Sequence, residues 1–159
     1  MTHNTIEDAA TLDAPYGPEI DRERELWNEI VALCRSLTPE QRTRPGYYRD
    51  PDWTVKDVVS HLGTWMAQSE IQLLRIESGT YVEEHLDIDA LNAQFLAALR
   101  DQDWSTVWAQ AISARSQMLT VWMRLTERSE AADWWVYKSG AEHDGQHLPR
   151  LREWVAEIT

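Results

Sequence analysis

One spacing constrains this chain more than any other feature: its apolar residues recur every three or four positions through several long stretches, and no hairpin-like run alternates every second residue. Between Pro18 and Leu37, the side chains of Ile20, Leu26, Trp27, Ile30, Val31, Cys34 and Leu37 fall on one side of a helix. A second helix opens in WTVKD and runs to Ser78. There Thr54 can cap the exposed N–H groups, Asp57 suits the positive end of the helix dipole, Trp53 can staple onto Val58, and Gly79 supplies the stop. A shorter segment spans Ile88 to Arg100. A long one begins at Ser105 as its cap, runs through STVWAQAISARSQMLTVWMRLTER and keeps Trp108, Ile112, Arg115, Leu119 and Trp122 near one stripe. The last helix runs from Gly140 to Ile158.

The intervening chain is read by its breakers. Residues 38–53, TPEQRTRPGYYRDPDW, carry Pro39, Pro45, Gly46 and Pro51 among polar residues, which predicts a long connecting loop. Residues 1–17 lack periodicity and are expected to be a loose arm, leaving 18–159 as a single domain, an all-α bundle of four long helices and one short extra helix.

Charge and composition remove whole classes of function. With 15 basic against 27 acidic residues the net charge is −12, so the clustered Lys and Arg that neutralise a phosphate backbone are missing and no nucleic acid is expected as partner. No stretch approaches the roughly 18 apolar residues of a membrane helix, and MTHNTIEDAATLDAPYG lacks the basic and apolar regions of a signal peptide, so a cytoplasmic location without membrane contact is expected. Cys34, alone in the apolar run IVALC, reads as a buried hydrophobe rather than a nucleophile. Nine tryptophans against one phenylalanine supply large apolar area with an N–H that needs a partner, and some are expected to line a cavity.

Three histidines carry the chemical interest. In AEHDGQHLPRLREW, His143 and His147 lie four apart on the stripe that continues through Leu151, Trp154 and Ile158, so two imidazoles can point at one place. In VVSHLGTWM, His61 borders the buried face between Val58 and Trp65. Three imidazoles buried there need hydrogen bonds or a shared metal ion, and spacing alone leaves both readings open. His3 in the arm and His85 in the acidic YVEEHLDID are expected at the surface. Pro149 frees the carbonyl of Gly145, which can bend the helix just past His147 or simply be tolerated at a bundle end.

With DWTVKDVVSHLGTWM, DIDALNAQF and GAEHDGQHLPRLREW, the chain resembles the DinB/YfiT-like metalloenzyme superfamily over residues 20–158, including the N-terminal domain of mycothiol-dependent maleylpyruvate isomerase. The resemblance implies an up-down-down-up four-helix bundle and a divalent metal, zinc or nickel, held by His61, His143 and His147. It also implies chemistry on a small electrophilic molecule, a transfer, isomerisation or hydrolysis, with a low-molecular-weight thiol such as mycothiol as cosubstrate. In the isomerase branch the first ligand of the last helix is glutamate, whereas His143 stands here with Glu142 beside it, and the isomerase's additional C-terminal domain is expected to be lacking, so the isomerase reaction is not carried over.

Around such a centre, Asp57 or Asp144 could orient a ligand, and Trp65 and Trp154 could hold the substrate. Asn92 sits at a position that recurs in the family and can cap or bridge helices. Two other readings stand beside the enzyme: a protein that binds or sequesters a ligand without turnover, and a structural bundle, open to pairing as a homodimer, whose histidines only pack.

Overall fold

The computed structural model of the protein describes residues 17–127 and 129–159. Seven helical segments occupy them: α1 (Gly17–Ser36), α2 (Pro39–Arg42), α3 (Val55–Ser78), α4 (Ile88–Leu99), α5 (Trp104–Arg124), α6 (Glu130–Ser139) and α7 (Ala141–Ile158). The described residues form no strand, and one isolated bridge joins Tyr48 to Trp53. The expected arm lies outside the described residues except for Gly17, which opens α1.

The start of α3 forms as its sequence dictates. The Thr54 hydroxyl accepts the Asp57 N–H at 3.2 Å while Asp57 Oδ2 accepts the Thr54 N–H at 2.8 Å, so two N–H groups that the helix cannot satisfy internally are bonded reciprocally. Gly79 closes the helix at φ 74°, a left-handed conformation that favours glycine.

Three expectations are corrected. Asp103, not Ser105, caps α5: its carboxylate accepts the Thr106 N–H at 2.8 Å and also the Ser105 hydroxyl at 3.1 Å, so the helix starts at Trp104. The 38–53 connection holds one helical turn, α2, because Thr38 and Gln41 form their own capping box. Helix α6 was not foreseen. Ser129 caps it by accepting the Ala132 N–H at 3.1 Å, and it occupies what reads in sequence as the approach to the last helix.

Packing follows the amphipathic faces. α3 lies mainly against α5 and α1 mainly against α7. Gly63 permits a close crossing of α3 and α5, since a Cβ there would stand 2.8 Å from the Ala111 Cα. Further along the same pair, Arg124 donates to both Glu77 carboxylate oxygens at 2.9 and 2.8 Å, so residue numbers rise together along α3 and α5. The contacts of α1 with α7 advance in the same sense, from Leu26 beside Gly145 to Glu29, which accepts from Arg152. Met66, Leu73, Met118, Leu119, Leu148 and Leu151 fill the centre, each almost wholly buried, and burial of such side chains supplies about 1.5–3 kcal/mol apiece. One buried ion pair crosses the core: Arg115 of α5 donates to both oxygens of Glu23 on α1, at 2.7 and 2.6 Å.

Candidate metal centre

Two helices carry the three imidazoles. His61 lies in the second turn of α3, and His143 and His147 occupy the first turns of α7. The register of α3 against α7 brings His61 Nε2 to 2.9 Å from His143 Nε2, and the four-residue spacing brings His147 Nε2 to 3.2 Å from the same atom. The three candidate ligand atoms lie within 4.8 Å of one another.

Burial removes the charged forms. His61 is lowered from 6.5 to about 3, first by desolvation and then by His147. His143 is lowered to about 2 by desolvation, His61 and His147, and His147 to about 4 by desolvation alone. Neutral imidazoles are the form that binds metal.

The donors fit a divalent ion. Nitrogens at 2.0–2.1 Å from a tetrahedral metal stand about 3.3 Å from each other; two of the three edges, the Nε2 separations of 2.9 and 3.2 Å, are close to that, and the third, between His61 and His147, lies within 4.8 Å. Without an ion, His143 Nε2 faces two other Nε2 atoms and can bond properly with one at a time; with an ion, all three lone pairs have one partner.

Tyr48 adds a contact that sequence reasoning missed. Its hydroxyl lies 3.2 Å from His147 Nδ1, behind the face of the ring that meets the other histidines. The loop is held by paired backbone bonds, Tyr47 N–H to Trp53 O and Trp53 N–H to Tyr48 O, both 3.0 Å. Trp53 then sets its ring edge-on to His61, with centroids 5.2 Å apart. Both aromatic residues sit in the YYRDPDW stretch, where clustered tyrosines and tryptophan before a capping box were the available signal.

The histidines floor a cavity of about 1080 Å³. Its walls include Trp53, Trp65, Trp134 and Trp135, its rim the 81–88 segment between α3 and α4. Trp65 lines the cavity, and its indole N–H donates to Asn92 Oδ1 at 2.8 Å, so Asn92 bridges α4 to α3. His85 is exposed, as expected, yet lines the rim. Trp134 and Trp135 went unrecognised because they belong to the unforeseen α6.

Three expectations about neighbours do not hold. Asp57 spends its bonded oxygen, Oδ2, on Thr54 as a helix cap rather than on a histidine. Asp144 points into the core instead of the cavity: it is fully buried, neither oxygen has a hydrogen-bond partner among the described residues, and burial together with nearby Glu23 pushes its carboxyl well above the usual range against the pull of Arg115. Trp154 lies outside the cavity lining, against Gly46 and edge-on to Tyr47 with the Arg150 guanidinium over its ring. Glu142 is turned to Lys138, with Nζ 2.7 Å from a carboxylate oxygen, so the acidic neighbour of His143 is not in the imidazole cluster.

Residues 24–156 match the family described as the mycothiol maleylpyruvate isomerase N-terminal domain. A crystal structure of an uncharacterised protein from Escherichia coli UTI89 is similar in fold, with a TM-score of 0.72 at 13% identity, over 86% of this chain and 90% of that one. No functionally curated protein matches the sequence.

Proposed function

Since the chain belongs to the mycothiol maleylpyruvate isomerase N-terminal domain family, we propose that it is a metal-dependent protein that acts on a small electrophilic molecule with a low-molecular-weight thiol as cosubstrate. The observation that carries this reading is the convergence of three neutral imidazoles on one point at the floor of a tryptophan-walled cavity. A divalent ion held by His61, His143 and His147, zinc or nickel for an all-imidazole set, would leave an open position and lower the pKa of a thiol or water placed there.

The chain's own groups supply the rest. Tyr48 holds the ring of His147 through Nδ1. Trp53, Trp65 and Trp135 form apolar walls that displace water from a bound substrate. The thiol has to come from outside, because Cys34 is fully buried and desolvation pushes it up to about 12. The rising register of α3 with α5 and of α1 with α7 supports the up-down-down-up bundle in which such a site is built between α3 and α7.

The test is turnover. Protein loaded with zinc or nickel is incubated with mycothiol or bacillithiol and a panel of epoxides and α,β-unsaturated carbonyl compounds, with thiol consumption and product mass followed. Thiol-dependent product that disappears in His143→Ala supports the proposal. Stoichiometric binding of a compound that is recovered unchanged would replace it with sequestration.

A further inference from the structure

The cavity has a chemical character that the histidine floor does not explain. Its rim carries Glu83, Glu84, Glu130 and Glu142, while Lys138 is the one lysine or arginine among the described lining residues. Lys138 is already tied to Glu142 across the junction of α6 and α7 at 2.7 Å. Glu83, Glu84 and Glu130 are exposed, and no ion pair engages them among the described residues.

Beside these carboxylates stands an aromatic corner. Trp134 and Trp135 are perpendicular, with ring centroids 5.1 Å apart, and the Trp135 N–H is anchored on the Tyr81 hydroxyl at 3.3 Å. Trp134 keeps half of its surface exposed, a large apolar area to leave in water. Glu130 lies four residues before Trp134 on α6 and therefore on the same face of that helix. Indole faces attract cations through the ring quadrupole, and carboxylates around them add attraction that water screens only partly inside a concave site.

We propose that this cavity takes a cationic substrate, an ammonium-bearing molecule with an apolar body, and disfavours anions. The inference rests on the reading of the cavity as the ligand site and deepens it by naming the charge class. The ammonium end would lie at the Trp134–Trp135 corner among Glu83, Glu84 and Glu130, with the remainder of the molecule directed toward the imidazoles. A carboxylate substrate, such as the one the family's name mentions, would meet three unpaired glutamates before reaching the floor.

The test uses three probes of nearly equal shape: choline, its neutral isostere 3,3-dimethylbutan-1-ol, and 3,3-dimethylbutanoate. Each is titrated calorimetrically into protein treated with EDTA, so that failure of the metal reading, visible in elemental analysis, leaves this experiment intact. Choline should bind about tenfold more tightly than the alcohol, and the anion more weakly than either. The preference should shrink with added salt and fall below about threefold in the Glu84→Gln/Glu130→Gln double variant, whose exposed positions leave folding undisturbed. Trp134→Ala should weaken choline more than the alcohol. Choline that fails to saturate, binds no better than the alcohol, or keeps its full preference in the double variant would overturn the proposal.

Discussion

Removing one oxygen from Tyr48 should loosen the metal centre without touching a ligand. For its Nε2 lone pair to face the other histidines, His147 must carry its proton on Nδ1, and the Tyr48 hydroxyl, 3.2 Å away, is then the acceptor. That contact fixes the tautomer and the ring plane together. Tyr48→Phe keeps the edge contacts with Tyr47 and Trp53, at centroid distances of 4.8 and 5.5 Å, and deletes this hydrogen bond together with the one the hydroxyl shares with the Tyr47 side chain, of which only the first touches a histidine. A neutral hydrogen bond contributes about 1–1.5 kcal/mol net, which converts to about a five- to tenfold loss of affinity. That lies at or below the 10–100-fold typical of partners behind metal-binding histidines. Competition titration of zinc against a chromogenic chelator measures it, with thermal unfolding of the metal-free proteins as a control for the fold. Affinity within twofold of the parent would refute the role given to Tyr48. So would a loss as large as that of His147→Ala, because then the hydroxyl would be doing more than orienting a ring.

Three further outcomes follow from the same structure. The histidines are lowered to about 3, 2 and 4 in the folded protein against 6.5 when unfolded, so the unfolded chain takes up protons first as pH falls. Metal-free protein should therefore hold its full stability above about pH 7.5 and lose up to about 2 kcal/mol per histidine as the pH falls from there to about 5, seen as a falling urea midpoint. Glu23→Gln leaves the Arg115 guanidinium buried without its carboxylate and should cost about 3–5 kcal/mol, the range for a broken buried pair; thermal melts check this. Cys34 should resist alkylation by iodoacetamide in the native protein and react fully in guanidinium, since it is wholly buried with its thiol pushed up to about 12.

How far the sequence could be read varied with the range of the interactions involved. The four long helices and the cap at Thr54 and Asp57 are local patterns, and they formed where apolar spacing and capping chemistry put them. His143 and His147 could be paired in advance because a four-residue spacing is itself geometry. The joining of His61 to them depends on how α3 slides against α7, which periodicity does not encode, and the expectation came from resemblance. Helix α6 was hidden by its shortness and by Trp134 and Tyr137, which face outward and spoil the apolar stripe, although Ser129 before acidic residues was a readable cap. Asp144 was misplaced for a related reason: adjacent to His143 in sequence, it leaves the helix about 100° round the axis and enters the core beside Glu23 and Arg115. Trp154 shares the histidine stripe but sits two turns beyond His147, under Tyr47 and Arg150 and past the end of the cavity.

The central claim is that His61, His143 and His147 together hold one divalent ion, and its most direct test is metal per chain by elemental analysis. The native protein is compared with His61→Ala and His143→Ala variants prepared identically, one on each helix. The account predicts close to one zinc or nickel per chain in the native protein and loss of it in both variants. Native protein that stays metal-free after loading, or variants that retain the metal, would contradict it.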